Sequence, residues 1–149
     1  MSNTLLYLLI AVVAGAFMPT QAAINNRMAG VVGGPAAAAF ISFLVGTVAL
    51  FGYLLLSGLP INSLLSAKEA PAIAWTGGLL GAFFVAATVA LIPRLGVAMT
   101  FSLIVAGQMA VTLVIDHFGL LGVPEKAISI PRIAGIVLIT TGVVLIRKF

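Results

Sequence analysis

Residues 4 to 24 read TLLYLLIAVVAGAFMPTQAAI, and residues 25 to 28 continue NNRM. From Leu5 to Met18 the run carries no charge and no amide. A helix needs roughly 20 mostly apolar residues to cross a bilayer core, and this stretch has that length. It is apolar on every side, unlike the one-sided stripe of a soluble surface helix. It also lacks the alternation over about ten residues that a transmembrane β-strand would show. The stretch therefore decides for a helix in lipid. Its end has a different character. Met18 to Met28 place a proline, a glutamine and two asparagines among apolar residues. In lipid, a polar side chain needs a partner or a task. Gln21 and Asn25 are four apart and share a helical face with Phe17. Pro19 lacks a backbone donor and frees a carbonyl one turn earlier, which makes it a candidate bend. Arg27 is read as the point where the helix meets the headgroups.

The rest of the chain has the same solvent. Of its 149 residues, 62% are apolar and 7% charged, where soluble domains carry about 25% charged residues. Mean hydropathy is +1.30. Ten charged side chains (seven basic, three acidic) do not cover the surface of a water-soluble globule this size. The net charge of +4 does not indicate nucleic acid, because the basic residues stand singly between apolar segments. Their expected partner is the anionic headgroup region of the bilayer. With no cysteine, there is no disulfide framework and no thiol chemistry. No basic region precedes the first apolar run, which is read as a membrane span and not as a signal peptide.

Five spans are expected, at about 4–24, 35–57, 71–92, 95–116 and 131–147, in one all-α transmembrane domain covering residues 1–149. Each is punctuated by proline, glycine or charge. Gly33-Gly34-Pro35 opens the second, Pro71 and Pro93 bound the third, Asp116-His117 ends the fourth, and Pro131 and Arg147-Lys148 bound the fifth. Brief interfacial turns are expected at Asn62–Leu65 and Leu120–Val123. An odd number of spans puts the termini on opposite sides. Lys68, Lys126 and Arg132 then face Arg27, Arg94, Arg147 and Lys148, three against four. Orientation follows a clear Lys/Arg excess, and a near tie predicts either a weak bias or insertion in both orientations.

Small residues mark the packing faces. Ala38, Ser42 and Gly46 form a stripe on the second span, and Gly77 and Gly81 a pair on the third. Gly135 and Gly142 lie seven apart on the fifth and are candidates for a dimer contact. Pro19, Gly77 and Gly81 are candidate hinges. Gln108, Thr112 and Asp116 follow at four-residue steps on the fourth span. A glutamine deep in a bundle either knits helices together or meets a polar ligand. Gln21, Asn25, Trp75, Gln108 and Thr112 are the candidate substrate contacts, with Trp75 equally readable as an interfacial anchor. Asp116 is read as a helix-end carboxylate in water or paired with Arg132 or Arg94, or together with His117 as a proton-responsive gate. No acidic residue falls at mid-membrane depth, which disfavours a cation exchanger, since a buried cation needs a carboxylate. No catalytic constellation, phosphate-binding loop or metal-ligand cluster is present, so neither an enzyme nor a cofactor is expected.

The run Pro19-Thr20-Gln21 with Asn25, then Gly34-Pro35 and Ile41-Ser42-Phe43-Leu44-Val45-Gly46-Thr47, resembles the opening half of the YdcZ-type family of the drug/metabolite transporter superfamily. Gly107-Gln108 followed by Ile115-Asp116-His117-Phe118-Gly119 resembles its fourth span and following loop, and Arg132 with Gly135 and Gly142 its last span. The resemblance covers nearly the whole chain. It implies a five-span protein of the inner (plasma) membrane. It further implies an antiparallel homodimer, or a paralogous pair, forming a ten-helix inverted repeat. The function expected is a half-size secondary transporter, an exporter of a small neutral, polar or amphipathic solute. The alternatives are a non-transporting membrane subunit and a flippase for lipids or lipid-linked substrates. Relatives with four spans rely on a carboxylate in their first span, where this chain has Gln21.

Overall fold

The computed structural model describes residues 3–148 and is all-helical over them. Helices α1 (Asn3–Val32), α2 (Pro35–Leu56), α3 (Thr76–Leu95), α4 (Val97–His117) and α5 (Ile130–Lys148) follow in order. Short 3-10 segments occupy Ile61–Glu69, Ala72–Trp75 and Leu120–Gly122. The chain divides into two compact units, one through Arg94 and one from Leu95 onward.

The first unit holds α1, α2 and α3. Its α1–α2 hairpin turns on two glycines: Gly33 has φ 85°, and Gly34 has φ 143° with ψ 173°. The Gly34 conformation belongs almost only to glycine. The Gly34 amide donates to the Ala29 carbonyl at 2.9 Å, and its own carbonyl accepts from Ala38 at 3.1 Å. Pro35, whose φ is already helical and which has no amide to satisfy, starts α2. The core of the unit is made of small residues. Ala39 of α2 packs with Val85 and Val89 of α3, flanked by Ala29, Phe84 and Ala86. A methyl group on Gly81 would lie 3.2 Å from the Phe43 ring, so this glycine lets α3 approach α2. Gly77, by contrast, has open space where a side chain would stand. In the second unit α4 and α5 form the hairpin.

Large apolar side chains face outward throughout: Leu56 is 90% exposed, and Val31 and Ile130 are 84% exposed. In water that surface would drive aggregation. In hydrocarbon it is the solvated face, and small-residue contacts supply the packing.

Among the described residues four helices are long and apolar enough to cross a membrane: Thr4–Val32, Pro35–Leu56, Ala72–Leu95 and Val97–His117. The fifth apolar stretch, Ile130–Ile146, is shorter. Helix α5 as a whole has 19 residues, about 28 Å at ~1.5 Å per residue, against a hydrocarbon core of about 30 Å. The fifth expected span is therefore a helix at the lower limit of spanning length.

Two expected boundaries move. Helix α1 does not stop near Ile24. It runs 30 residues to Val32, about 45 Å, and carries Asn25, Asn26 and Arg27 within it. Polar residues do not break a helix; the left-handed Gly33 does. Likewise Pro93 does not end α3, which continues to Leu95. A proline in the last turn costs only its own hydrogen bond, and the stop falls at Gly96, with φ 76°. Trp75 lies ahead of α3 in its own 3-10 turn and is 62% exposed. The expected interfacial turns fall in the first and third 3-10 segments.

Candidate functional site

Helices α1 and α2 enclose a groove of about 420 Å³ within the first unit. The α1 wall is Phe17, Thr20, Gln21, Ile24, Asn25 and Met28; the α2 wall is Ala38, Ile41, Ser42 and Val45. This volume is in the range of small-molecule sites. The shared face of Phe17, Gln21 and Asn25 expected from the sequence is thus one wall of a cavity. Helix α1 supplies it because the run stays helical straight through Pro19. The Thr20 hydroxyl donates back to the Ala16 carbonyl at 3.0 Å, so it offers the groove only acceptor lone pairs.

The opposite wall was only partly legible. Asn25 is buried at 6% exposure, and its Nδ2 donates to the Ser42 hydroxyl at 3.2 Å. Ser42 belongs to the Ala38-Ser42-Gly46 stripe, which reads as packing alone. Ala38 is fully buried, as packing requires, and Ser42 anchors the site amide. The available signal was a hydroxyl in an otherwise methyl-sized stripe, opposite an asparagine. One N–H and the carbonyl oxygen of Asn25 remain for a ligand. Gln21 is exposed, and its amide has no side-chain hydrogen bond among the described residues. No ionisable group lines the groove. It can hold hydrogen-bonding groups against apolar walls but offers nothing to offset a full charge.

The Asn25–Ser42 bond orients the amide more than it holds the hairpin, since such bonds average about 0.6 kcal/mol in membrane proteins. Ser42→Ala is therefore expected to lower stability by about that amount while perturbing ligand affinity. Equilibrium unfolding in mixed micelles reads the first and ligand titration the second. A stability loss well beyond about 1.7 kcal/mol, the upper end for such bonds, would make the contact structural.

The remaining candidates lie elsewhere. Gln108 is exposed on α4 in the second unit. Thr112 donates its hydroxyl to the Gln108 carbonyl at 2.7 Å and lines a groove between α4 and α5 with Arg132 and Gly135. Gly142 borders another groove between the same helices, with Ala98, Phe101 and Ser102. A Cβ added at Gly135 or Gly142 would meet nothing within 4 Å. Asp116 pairs with Arg132, the first of its two expected partners. The pair closes a clasp around the following loop. The Lys126 amide donates to the Asp116 carbonyl at 2.7 Å, and Arg132 Nη1 donates to the Lys126 carbonyl at 3.0 Å. His117 Nδ1 accepts from the Ile128 amide at 3.4 Å, and its ring meets Phe118 edge-on at 4.6 Å. Among the described residues no group of His, Cys, Asp or Glu is arranged to hold a metal ion.

No curated protein and no solved structure matches the chain. A family model does: the one described as "Putative inner membrane exporter, YdcZ" matches residues 6–145. That span takes in the α1–α2 groove, the Asp116–Arg132 clasp and nearly all of α5. The multi-pass helices, the apolar exterior and this match agree, and the chain belongs to the YdcZ family of inner-membrane exporters.

Proposed function

We propose that the protein is a half-size secondary transporter that exports a small, uncharged solute with hydrogen-bonding groups. The observation that carries this reading is the α1–α2 groove, where amides and hydroxyls stand against apolar walls and no ionisable group is present. A neutral solute exchanges its water hydrogen bonds for those of Gln21 and Asn25. A cation would enter without a counter-charge, at the cost of burying it unpaired. Trp75, Gln108 and Thr112 carry no part of this reading.

The five α-helices of the described residues and the near tie of three against four Lys/Arg across the bilayer support two oppositely inserted copies working as a pair, or one copy with a paralogue. In such a pair, alternating access is rocking of one half against the other, with the two ends equivalent by symmetry. Reconstituted liposomes test the reading. Saturable flux of a neutral amide or polyol, unaffected by a cationic analogue, is the expected result. Flux confined to labelled lipid would replace the carrier with a flippase. Absence of any flux, with a stable complex recovered from native membranes, would make the chain a subunit of something else.

A further inference from the structure

The α4–α5 groove has features that transport of a neutral solute does not use. It encloses about 200 Å³ and is walled by Met109, Leu113, Gly135, Ile136 and Ile139. The Thr112 hydroxyl in that wall is spent on the Gln108 carbonyl. The hydrogen-bond donor left to the groove is the Arg132 guanidinium. Arg132 stands at the start of α5 and Asp116 at the end of α4, so the mouth of the groove lies at headgroup level and its length runs into the hydrocarbon.

The guanidinium is held in place there. One N–H goes to Asp116 and one to the Lys126 carbonyl. A guanidinium has five N–H donors, which leaves three, and the Arg132 side chain is 31% exposed. Lys126 takes part in the clasp through its backbone, and its ammonium is a second cation carried by the same loop. Asp116 offsets part of this charge, and Glu125 lies against Gly119 in the same loop. Glu125 forms no ion pair with Lys126.

We infer that the α4–α5 groove is a phospholipid site, with the headgroup phosphodiester on Arg132 and Lys126 and part of an acyl chain along Gly135, Ile136 and Ile139. The charge at the mouth fits a phosphate, because a planar, pre-positioned guanidinium suits its oxygens. An apolar groove ending at basic residues on a membrane boundary is where lipid headgroups are captured. Bound there, the lipid covers a groove that the chain leaves open and braces the clasped loop against α5. The site is independent of the α1–α2 groove, and its failure leaves the transport reading untouched.

Native mass spectrometry of the full-length protein in mild detergent tests it, with dioleoyl phosphatidylglycerol as the probe. Dioleoylglycerol and inorganic phosphate provide the comparisons. The wild type is expected to retain the phospholipid in preference to both. Gly135→Leu puts a side chain into the groove at a position where an added Cβ meets nothing within 4 Å, and is expected to abolish the preference. Lys126→Gln removes one cation and keeps the backbone clasp; it is expected to weaken retention about fivefold. Lys68→Gln, in a different loop, is expected to leave it unchanged. Equal retention of dioleoylglycerol would reduce the site to an apolar groove and overturn the proposal. Competition by phosphate alone at the same concentration would reduce it to a simple anion site, with the same consequence. Unchanged retention in Gly135→Leu would also overturn it, and recovery of that variant as a monodisperse species rules out misfolding as the cause of a loss.

Discussion

Gln21→Leu is expected to abolish most transport while leaving the protein folded. The side chain is exposed in the groove, and its amide makes no hydrogen bond that supports another part of the described structure. Leucine fills a similar volume and continues the helix. What is lost is the partner for a solute group that has already given up water. Leaving such a group unpaired costs about 1–3 kcal/mol, which is a roughly five- to 150-fold fall in transport efficiency. The measurement is initial flux into liposomes, normalised to reconstituted protein. Gln21→Asn, which keeps the amide but shortens its reach, is expected to fall between leucine and the wild type. Wild-type flux in Gln21→Leu would remove this residue from the site, and with it the assignment of the α1–α2 groove to the solute.

The second large effect is on folding. Gly34→Val places a β-branched side chain at φ 143° and ψ 173°, a region populated almost only by glycine, with a strain of about 1–3 kcal/mol. Space at the Cβ is not the obstacle, because nothing lies within 4 Å of a Cβ added there. The backbone is. Relief of the strain would swing Pro35 and the first turn of α2 and break the Gly34–Ala29 and Ala38–Gly34 hydrogen bonds. The Ala38–Ser42 wall would then no longer face Asn25. Thermal unfolding followed by recovery of monodisperse protein is expected to show a clear loss for Gly34→Val. Gly46→Ala, at a helical glycine with open space around it, is the control and is expected to change little. A midpoint equal to the wild type would mean that the turn finds another conformation at no cost.

The two effects separate chemistry from scaffold. On the proposed function Gln21 meets the solute, and its amide makes no side-chain hydrogen bond among the described residues. Gly34 lies outside the groove lining and forms the turn that joins the two walls. Transport lost in both variants, with folding lost only in the second, is the pattern expected of a site built on a helical hairpin.

Chain composition determined the solvent, and the solvent determined the class of structure. A backbone in hydrocarbon must satisfy its hydrogen bonds within each segment, so long apolar runs were readable as helices. The face shared by Phe17, Gln21 and Asn25 was readable too, because it depends only on helical spacing. The absence of acid at mid-depth was equally plain in the residues. Boundaries were less legible. Arg27 and Pro93 look like stops, yet α1 continues to Val32 and α3 to Leu95; the left-handed glycines Gly33 and Gly96 end them. Tertiary structure alone decided partners. Asn25 had many possible neighbours, and only the Gly33–Gly34 turn brings Ser42 to it. Asp116 had two candidate arginines, and the α4–α5 hairpin selects Arg132. The same hairpin leaves an apolar groove beneath that arginine, which no periodicity records. Spacing along a helix is local and follows from the chain. A contact between helices depends on how two faces approach, and that is set by turn geometry and small-residue packing acting together.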